Sequence, residues 1–272
     1  MMIDAVCFTG RWPFRKLGKP GIAELLEDHA KNGITGGVVS NLESIFYNDP
    51  MEGDEELAAK LPKGYKLAVT HNPLISYAVK EISRNPLNAA AVRLFPSYHG
   101  YNPGDDVVRE FCRAAASAGL IVYIVSRMDD VRIDYIHRQT VPSIGDVITL
   151  ARAVPECKFV LTGMRICDVC QEAEDIIQCK NLYVDTAYAN VPTFPYDAVI
   201  EALPIERVLF ATHYPMICLE SNIIALKNST IYGKTKDAVL YGNAEKLFGF
   251  KVNKKEKESL LCLTKTPNGT SD

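Results

Sequence analysis

The sequence has almost no excess of either charge, no long hydrophobic run and no secretory leader pattern. Its 30 lysines and arginines face 33 aspartates and glutamates, so the formal net charge is −3 over 272 residues. Nonspecific nucleic-acid binding needs a surplus of Lys and Arg, so we expect no nucleic-acid partner. No apolar run approaches the ~20 residues of a membrane helix, and MMIDAVCF lacks the parts of a signal peptide. We therefore expect a cytoplasmic protein without a membrane partner.

The eight cysteines do not follow the spacing of a disulfide framework or a zinc site. A chain without a secretory leader is expected to keep its thiols reduced. Cys167 and Cys170 form a CxxC, but no second pair follows at zinc-ribbon spacing. We therefore expect the cysteines to fill the core.

Eight β-rich runs alternate with amphipathic helices up to Phe250. The predicted strands cover residues 3–8, 36–41, 65–71, 90–95, 120–126, 158–162, 182–186 and 208–212. Continuous apolar runs such as Leu120–Val125 are typical of strands that are covered on both faces in a parallel sheet. Eight βα units predict an α/β fold, the (β/α)8 TIM barrel. The alternative is an open doubly wound sheet, but no GxGxxG follows the first strand.

The barrel is predicted to form one domain over residues 1–250. A helix over 236–248 closes this domain, and residues 251–272 form a polar C-terminal tail. In a barrel of this kind the reactive groups lie at the C-terminal ends of the strands. The polar residues at those ends are therefore the candidate site.

These strand ends are rich in histidine and arginine. The candidates are Arg11 and Trp12 after the first strand, His71 at the end of the third, Arg93 and His99 at the fourth, Arg127 and His137 at the fifth, Asp185 at the seventh and His213 at the eighth. Four of the five histidines fall in this set, which indicates a site. The alternatives are that the histidines are hydrogen-bonded loop anchors and that Trp12 plugs the mouth of the barrel.

Arg93 and Arg127 are predicted to point into the mouth, because side chains alternate between the two faces of a strand. Guanidinium groups bind carboxylate or phosphate in a bidentate manner. Asp185 and Asp130 are possible partners within the chain. A small anionic substrate is an equally good partner.

Four segments resemble the amidohydrolase-related barrels, in particular the amidohydrolase 2 group. They are Ile3-Asp4-Ala5, the run RLFPSYHGY over 93–101, the run FATHYP over 210–215 and the run YGNAEKLF over 241–248. The resemblance covers nearly the whole predicted domain. It implies a barrel with the fold of the metal-dependent hydrolases and decarboxylases.

The resemblance also implies a metal centre whose ligands this chain lacks. The family's opening His-x-His falls on Val6 and Phe8, its later histidines fall on Val125 and Thr162, and its strand-8 aspartate falls on His213. Valine and phenylalanine offer no lone pair to a cation. We therefore expect a divergent branch in which the usual metal pocket does not form.

Three functional interpretations remain. In the first, which we favour, the chain is a hydrolase or related lyase that acts without a metal on a small anionic metabolite. His213 then serves as general base or acid, because histidine titrates near neutrality, and Asp185 orients it or serves as a second base. Arg93 and Arg127 bind the anionic group or stabilise an oxyanion.

In the second interpretation, zinc binds at a relocated site between residues of the same rim. Its ligands come from His71, His99, His137, Asp185 and His213. In the third, the barrel is a non-catalytic protein that binds a small molecule. When no metal is bound, His71, His99, His137, Arg11 and Trp12 are expected to contact the ligand. The resemblance also implies that two copies form a homodimer.

Overall fold

The centre of the fold is a sheet of eight parallel strands that follow one another in chain order. The computed structural model describes residues 1–18, 21–130, 132, 141–188 and 195–250. The strands are β1 (Met2–Thr9), β2 (Ile34–Asn41), β3 (Tyr65–His71), β4 (Ala91–Leu94), β5 (Ile121–Val125), β6 (Phe159–Thr162), β7 (Leu182–Asp185) and β8 (Val208–Leu209). After β8, the chain returns to β1, since the Ala5 N–H donates to the Phe210 carbonyl and the His213 N–H to the Val6 carbonyl. The predicted (β/α)8 barrel is confirmed.

Helices connect the strands. They are α1 (Ile22–Lys31), α2 (Pro50–Ala58), α3 (Ala78–Arg84), α4 (Pro96–His99), α5 (Asp106–Ser117), α6 (Ile144–Ala153), α7 (Ile166–Gln171), α8 (Ala173–Gln178), α9 (Pro195–Ala202), α10 (Leu219–Lys227), α11 (Gly233–Asp237) and α12 (Asn243–Phe248). The helix predicted over 166–178 is divided at Glu172, whose backbone departs from helical geometry. The predicted closing helix is α12 preceded by a π-helical turn over Ala238–Gly242.

Side chains alternate between the two faces of the sheet and form two apolar layers. On β5, Val122 and Ile124 point outward into the cluster shared with the helices. Tyr123 and Val125 point inward and pack inside the barrel. Because both faces are covered, every residue of β5 is buried, which explains its continuous apolar sequence.

The helix α12 closes the end of the barrel at which the strands begin. The ring of Phe248 stacks on Tyr123 with the centroids 6.0 Å apart, and Ile3 and Ile121 belong to the same inner cluster. The other end, where the strands finish, is left for binding and chemistry.

The predicted tail over 251–272 lies outside the described residues, so the domain boundary at residue 250 stays a prediction. Within the described ranges, no helix combines the length and the apolar character that crossing a bilayer requires.

Candidate active site

Asp185 is the last residue of β7, and its side chain lies inside the mouth of the barrel. Its neighbour Val184 points outward to the helices and pairs with Leu161, so the next position places Asp185 beside Thr162 of β6. The Asp185 Oδ1 accepts a hydrogen bond from the Ala187 N–H at 2.9 Å. Among the described residues, Oδ2 has no hydrogen-bond partner, and the Thr162 hydroxyl faces the carboxyl without hydrogen-bond geometry. The mouth therefore holds a buried carboxyl with a free oxygen.

Burial raises the pKa of Asp185 to about 7. Removal from water disfavours the charged form of a carboxyl group. The Thr162 hydroxyl, the Ala187 N–H and the positive charge of Arg93 oppose this effect on the pKa, and the negative charge of Asp4 adds to it. Asp185 can thus bind and release a proton near neutral pH, as general acid–base catalysis requires.

His213 follows β8 with its ring completely buried and its backbone in the left-handed region at φ 58°. The conformation is uncommon for a residue with a Cβ atom and is found where surrounding structure imposes it. The His213 carbonyl accepts hydrogen bonds from the N–H groups of Met216 and Ile217. Its ring contacts Phe8 and Tyr188 edge-on, at centroid distances of 5.1 and 5.3 Å. Among the described residues, neither ring nitrogen has a hydrogen-bond partner.

Burial also determines the protonation of His213. Burial and, to a smaller extent, the positive charges of Arg93 and Arg15 lower the pKa of the ring to about 3, against the backbone of Met128, which raises it. The ring is therefore neutral at neutral pH, so the expectation that it titrates near neutrality is wrong. His213 can donate one hydrogen bond and accept another, whereas Asp185 is the group whose charge changes near pH 7.

A cavity of about 1010 Å³ lies at the same end of the barrel. Met164 and Ile217 contribute apolar surface to its wall, and Tyr188 lines it as well. Because Tyr188 also contacts the ring of His213, that ring lies one side-chain layer below the cavity. The cavity is large enough for a small molecule.

Asp129 connects three loops at the edge of this cavity. It accepts a hydrogen bond from the Trp12 Nε1–H at 2.5 Å and another from the Arg15 Nε–H at 2.9 Å. Arg15 also donates to the Met216 carbonyl. The loops that follow β1, β5 and β8 are thereby held together beside the opening of the cavity.

We expect replacement of Asp129 by Ala to lower the free energy of unfolding by about 3 kcal/mol, because it leaves the Trp12 N–H and the Arg15 guanidinium without their acceptor. Urea denaturation measures this cost. The matched control is Asp130→Ala, which removes the exposed ion pair with Arg132 and the hydrogen bond from the backbone N–H of that residue, and should cost less than about 1 kcal/mol. Equal costs for the two variants would contradict this role of Asp129.

The other charged groups of the cavity are largely paired with one another. Arg132 binds Asp130, and Arg165 binds Asp168 through two hydrogen bonds of 2.8 and 2.7 Å. Asp130 thus pairs with Arg132, which is not one of the two arginines, Arg93 and Arg127, for which the sequence offers it as a partner. Arg127 lines the cavity wall.

Arg93 lies inside the barrel and not at its mouth. Its side chain is fully buried, and its guanidinium donates to the carbonyls of Cys7, Val38 and Ala5. The predicted inward direction is correct, but the side chain crosses the barrel toward β1 and β2. The predicted contact with a ligand at the rim is therefore replaced by backbone contacts.

His71 lies on the outer side of the sheet, away from the mouth. The Asn72 N–H donates to its Nδ1, so Nε2 carries the proton and donates to Glu81 of α3 at 2.8 Å. Its ring also packs against Phe111 of α5. These contacts make His71 an anchor between the sheet and the helices, and correct its assignment to the ligand.

His99 has a protein partner as well, since its Nε2 donates to the Ile45 carbonyl at 2.9 Å. Burial lowers the pKa of His99, so the ring is neutral. His137 lies outside the described residues. The structure thus does not bring the predicted ring of histidines together around one point.

Arg11 and Trp12 have different environments. Arg11 is exposed and forms an ion pair with Glu43 at 3.4 Å. Trp12 is buried in a cluster of edge-on aromatic contacts. The other members are Phe14, Phe46 and Tyr98. Trp12 fills space beside the mouth, as in the alternative interpretation of this residue.

The residues present do not fit the metal centre that the family resemblance implies. Val6 and Phe8 belong to the apolar cluster inside the barrel. Among the described residues, only Asp4, Cys7 and His29 come within 4.8 Å of one another as a group of metal-ligand type. None of the residues predicted for the relocated zinc site belongs to this group.

Asp4 in that group already has its acceptors filled. Its Oδ1 accepts from the N–H groups of Val6 and Thr212, and its Oδ2 accepts from the Thr212 hydroxyl. His29 adds a contact of 3.3 Å to Oδ2. The group therefore joins β1 to α1 and to the segment after β8.

Two residues of the site were not among the candidates taken from the sequence. Tyr188 lines the cavity and contacts His213, and Arg15 lines the cavity and binds Asp129. Both follow strands at the C-terminal end of the barrel, Tyr188 by three residues after Asp185. A wider window after each strand could have found them.

Comparison with known families gives a match over most of the chain. The family model described as "Amidohydrolase" matches residues 23–250. No curated protein sequence matches.

Several solved structures share this fold. The 5-carboxyvanillate decarboxylase from Sphingomonas paucimobilis is similar with a TM-score of 0.64 and 17% identity, covering 84% of this chain and 83% of that chain. The 2,6-dihydroxybenzoate decarboxylase from Rhizobium has a TM-score of 0.67 and 13% identity, covering 91% and 98%. A dihydroxybenzoic acid decarboxylase from a Polaromonas species, solved with bound manganese and an inhibitor, has a TM-score of 0.69 and 13% identity, covering 93% and 98%. At these identities, the likeness shows the fold alone.

Proposed function

The chain belongs to the amidohydrolase family, which places it among hydrolases and lyases, and we propose that it acts without a metal on a small anionic molecule at the C-terminal end of the barrel. One observation carries this proposal: the buried carboxyl of Asp185 has a free oxygen and a pKa of about 7. In the same mouth, His213 offers two ring nitrogens without partners among the described residues. Perturbed, unpartnered groups of this kind concentrate at functional sites.

The proposed chemistry is a proton transfer by Asp185. In a hydrolysis, the ionised carboxylate accepts a proton from the attacking water and returns it to the leaving group. In a decarboxylation, the protonated carboxyl donates its proton to the carbon atom that has lost CO2, and solvent restores the proton. Neutral His213 orients, through one hydrogen bond, a reacting group that extends past Tyr188 from the cavity into the mouth of the barrel. These roles reverse those expected from the sequence, in which His213 was the general base or acid and Asp185 oriented it or served as a second base.

The proposed substrate class is a small aromatic carboxylic acid. Met164, Ile217 and Tyr188 provide apolar surface against which a ring can pack, and Arg127 brings positive charge to the same cavity. Three of the similar solved structures are decarboxylases whose names specify aromatic acids. A guanidinium group binds a carboxylate through two parallel hydrogen bonds.

We expect hydroxybenzoates and related acids to raise the melting temperature of the protein in a thermal-shift screen, and the corresponding amides to have no effect. Replacement of Arg127 by Met should weaken binding about tenfold or more, because a hydrogen bond to a charged group is lost. Arg113→Met is the matched control, since Arg113 is exposed and pairs with Glu156 outside the cavity. Equal binding of acids and amides would contradict the anionic substrate. Binding without turnover of any bound acid would favour the non-catalytic alternative.

Metal removal gives a second test of the proposal. Dialysis against a chelator should leave the turnover of any substrate found in the screen unchanged, since Val6 and Phe8 offer no ligand atoms. The measurement is the initial rate before and after dialysis, with metal content determined in both samples. A loss of rate that added Mn²⁺ or Zn²⁺ restores would refute the metal-independent reaction.

A further inference from the structure

Arg93 is the largest side chain that is fully buried in the described residues. It extends from β4 across the barrel to the two strands that begin the sheet. Its Nη1–H donates to the Cys7 carbonyl at 2.9 Å, and its Nη2–H groups donate to the carbonyls of Val38 at 2.7 Å and Ala5 at 3.3 Å. The guanidinium therefore sits in an oxygen-lined position within the barrel.

Two aromatic rings complete this position. The Arg93 Cζ lies 4.6 Å from the ring centroid of Phe8 and 4.9 Å from that of Tyr123. The Tyr123 hydroxyl donates to the Ala5 carbonyl at 2.7 Å. Within the described ranges, no carboxylate oxygen comes within 4.0 Å of the guanidinium in an ion pair. Arg93 thus carries a buried positive charge that carbonyl dipoles and aromatic faces stabilise.

This position coincides with the place of the missing metal ligands. Ala5 and Cys7, whose carbonyls bind Arg93, flank Val6, and Phe8 lies against the guanidinium. Val6 and Phe8 are the residues on which the family's opening histidines fall. The guanidinium therefore lies beside the part of β1 that would hold a metal ion if positions 6 and 8 were histidines.

We propose that Arg93 is the built-in cation of this barrel: its guanidinium fills the position beside β1 that a metal ion would take and holds a fixed positive charge inside the barrel whose field reaches Asp185. Arg93 is a positioning residue, because it acts through Asp185 and does not touch the substrate. The role that it gives Asp185 rests on the proposed function.

Several charged and titratable groups face Arg93 or share its field. They are Asp4 and Cys7 of β1, Asp54 of α2, Tyr123 of β5, Asp185 of β7 and His213 after β8. Arginine stays protonated even when it is buried. Its charge lowers the pKa of Asp185 against the effect of burial and adds to the larger lowering effects of Thr162 and Ala187. Without this charge, Asp185 should stay protonated over most of the physiological range.

The first arm of the test measures the pH at which Asp185 ionises. The difference in unfolding free energy between the parent protein and Asp185→Asn, followed against pH, gives this midpoint. The same difference is measured in an Arg93→Gln background, which keeps donors for the carbonyls but removes the charge, and in an Arg93→Lys background, which keeps the charge. We expect the midpoint to rise by about one pH unit or more in Arg93→Gln and to stay near the parent value in Arg93→Lys.

The second arm tests the position of the cation. Arg93→Glu places a carboxylate among the three carbonyl oxygens, a donor set that suits Mn²⁺. Saturating Mn²⁺ should raise the melting temperature of this variant by about 5 °C or more and leave that of the parent unchanged. If Arg93→Gln is too unstable to titrate, this arm decides alone.

An unchanged midpoint in Arg93→Gln, or no response of Arg93→Glu to Mn²⁺, overturns the inference. Failure of the proposed function has a different signature, in which Asp185→Asn retains turnover whatever the Arg93 variants do. The two outcomes are therefore distinguishable.

Discussion

Replacement of Asp185 by Asn is expected to reduce turnover about 100-fold or more and to stabilise the folded protein above neutral pH. Asparagine fills the same space but neither donates nor accepts a proton in the reaction, and general acid–base catalysis contributes about that factor. It also has no charge to bury. A variant that loses activity and gains stability is the result expected when a buried ionisable group is kept for function.

The stability gain has a defined pH range. The pKa of Asp185 is raised from its usual 3.8 to about 7, so between these values the native protein holds a proton that the unfolded chain releases. The stability of the parent protein therefore falls as pH rises through this range. Asp185→Asn escapes this loss, which for a shift of ~3 pKa units is on the order of 4 kcal/mol. The difference between variant and parent should grow from about pH 4 and level off above about pH 7.

His213 has the opposite effect on the parent curve. Its pKa is lowered from 6.5 to about 3, so between these values the unfolded chain binds a proton that the native ring does not. The contribution of His213 to stability therefore increases with pH in that range. The informative quantity is consequently the difference between Asp185→Asn and the parent, in which the effect of His213 is common to both.

The matched control is Asp175→Asn. Asp175 is half-exposed and pairs with Arg152, so its replacement should alter neither turnover nor the pH dependence of stability appreciably. Urea denaturation from pH 4 to pH 9 measures the stabilities. If Asp185→Asn were no more stable than the parent at pH 8, the raised pKa of Asp185 would be refuted. If it retained the rate of the parent, the catalytic role would be refuted.

The barrel was predictable because the physical constraint on its strands is local. A strand covered on both faces needs a continuous apolar run, and β5 shows this pattern. The position of Asp185 at a strand end was predictable for the same reason. The division at Glu172 was not, since the apolar spacing continues on both sides of that residue.

The site was less predictable because the position of a side chain depends on more than the place of its residue in a strand. His71 shares the outward face of β3 with Leu67 and Val69, so it meets the helices although it ends the strand. For Arg93 the alternation correctly indicates the inward face. The pattern does not specify where so long a side chain ends, and carbonyl oxygens across the barrel bind the guanidinium.

The pKa values illustrate a second limit. A histidine at the end of a strand is expected to titrate near neutrality when water reaches it. His213 is fully buried, so desolvation moves its pKa to about 3, and the same effect moves that of Asp185 to about 7. Burial thus makes Asp185, and not His213, the group that titrates near neutrality. The depth at which each side chain is buried depends on the packing of several loops, which the strand pattern does not specify.

Replacement of His213 by Gly or Ala is expected to reduce turnover to a similar, low level, about 100-fold or more below the parent, because both remove the ring that is proposed to orient the substrate. The two variants should differ in stability. At φ 58° a Cβ atom costs about 1–2 kcal/mol, so the glycine variant should be the more stable by about 1 kcal/mol. This comparison separates the backbone contribution of position 213 from that of its ring.

Imidazole added to His213→Gly tests the ring directly. It should restore part of the turnover, and the restoration should increase as pH rises through the pKa of imidazole, since the buried ring is the neutral form. Asp185→Asn, treated in the same way, should gain nothing. If the glycine variant kept the rate of the parent, or if imidazole acted equally on both variants, position 213 would serve only to hold the loop after β8. With rescue confined to His213→Gly, the neutral ring and the titrating carboxyl are separate parts of one reaction.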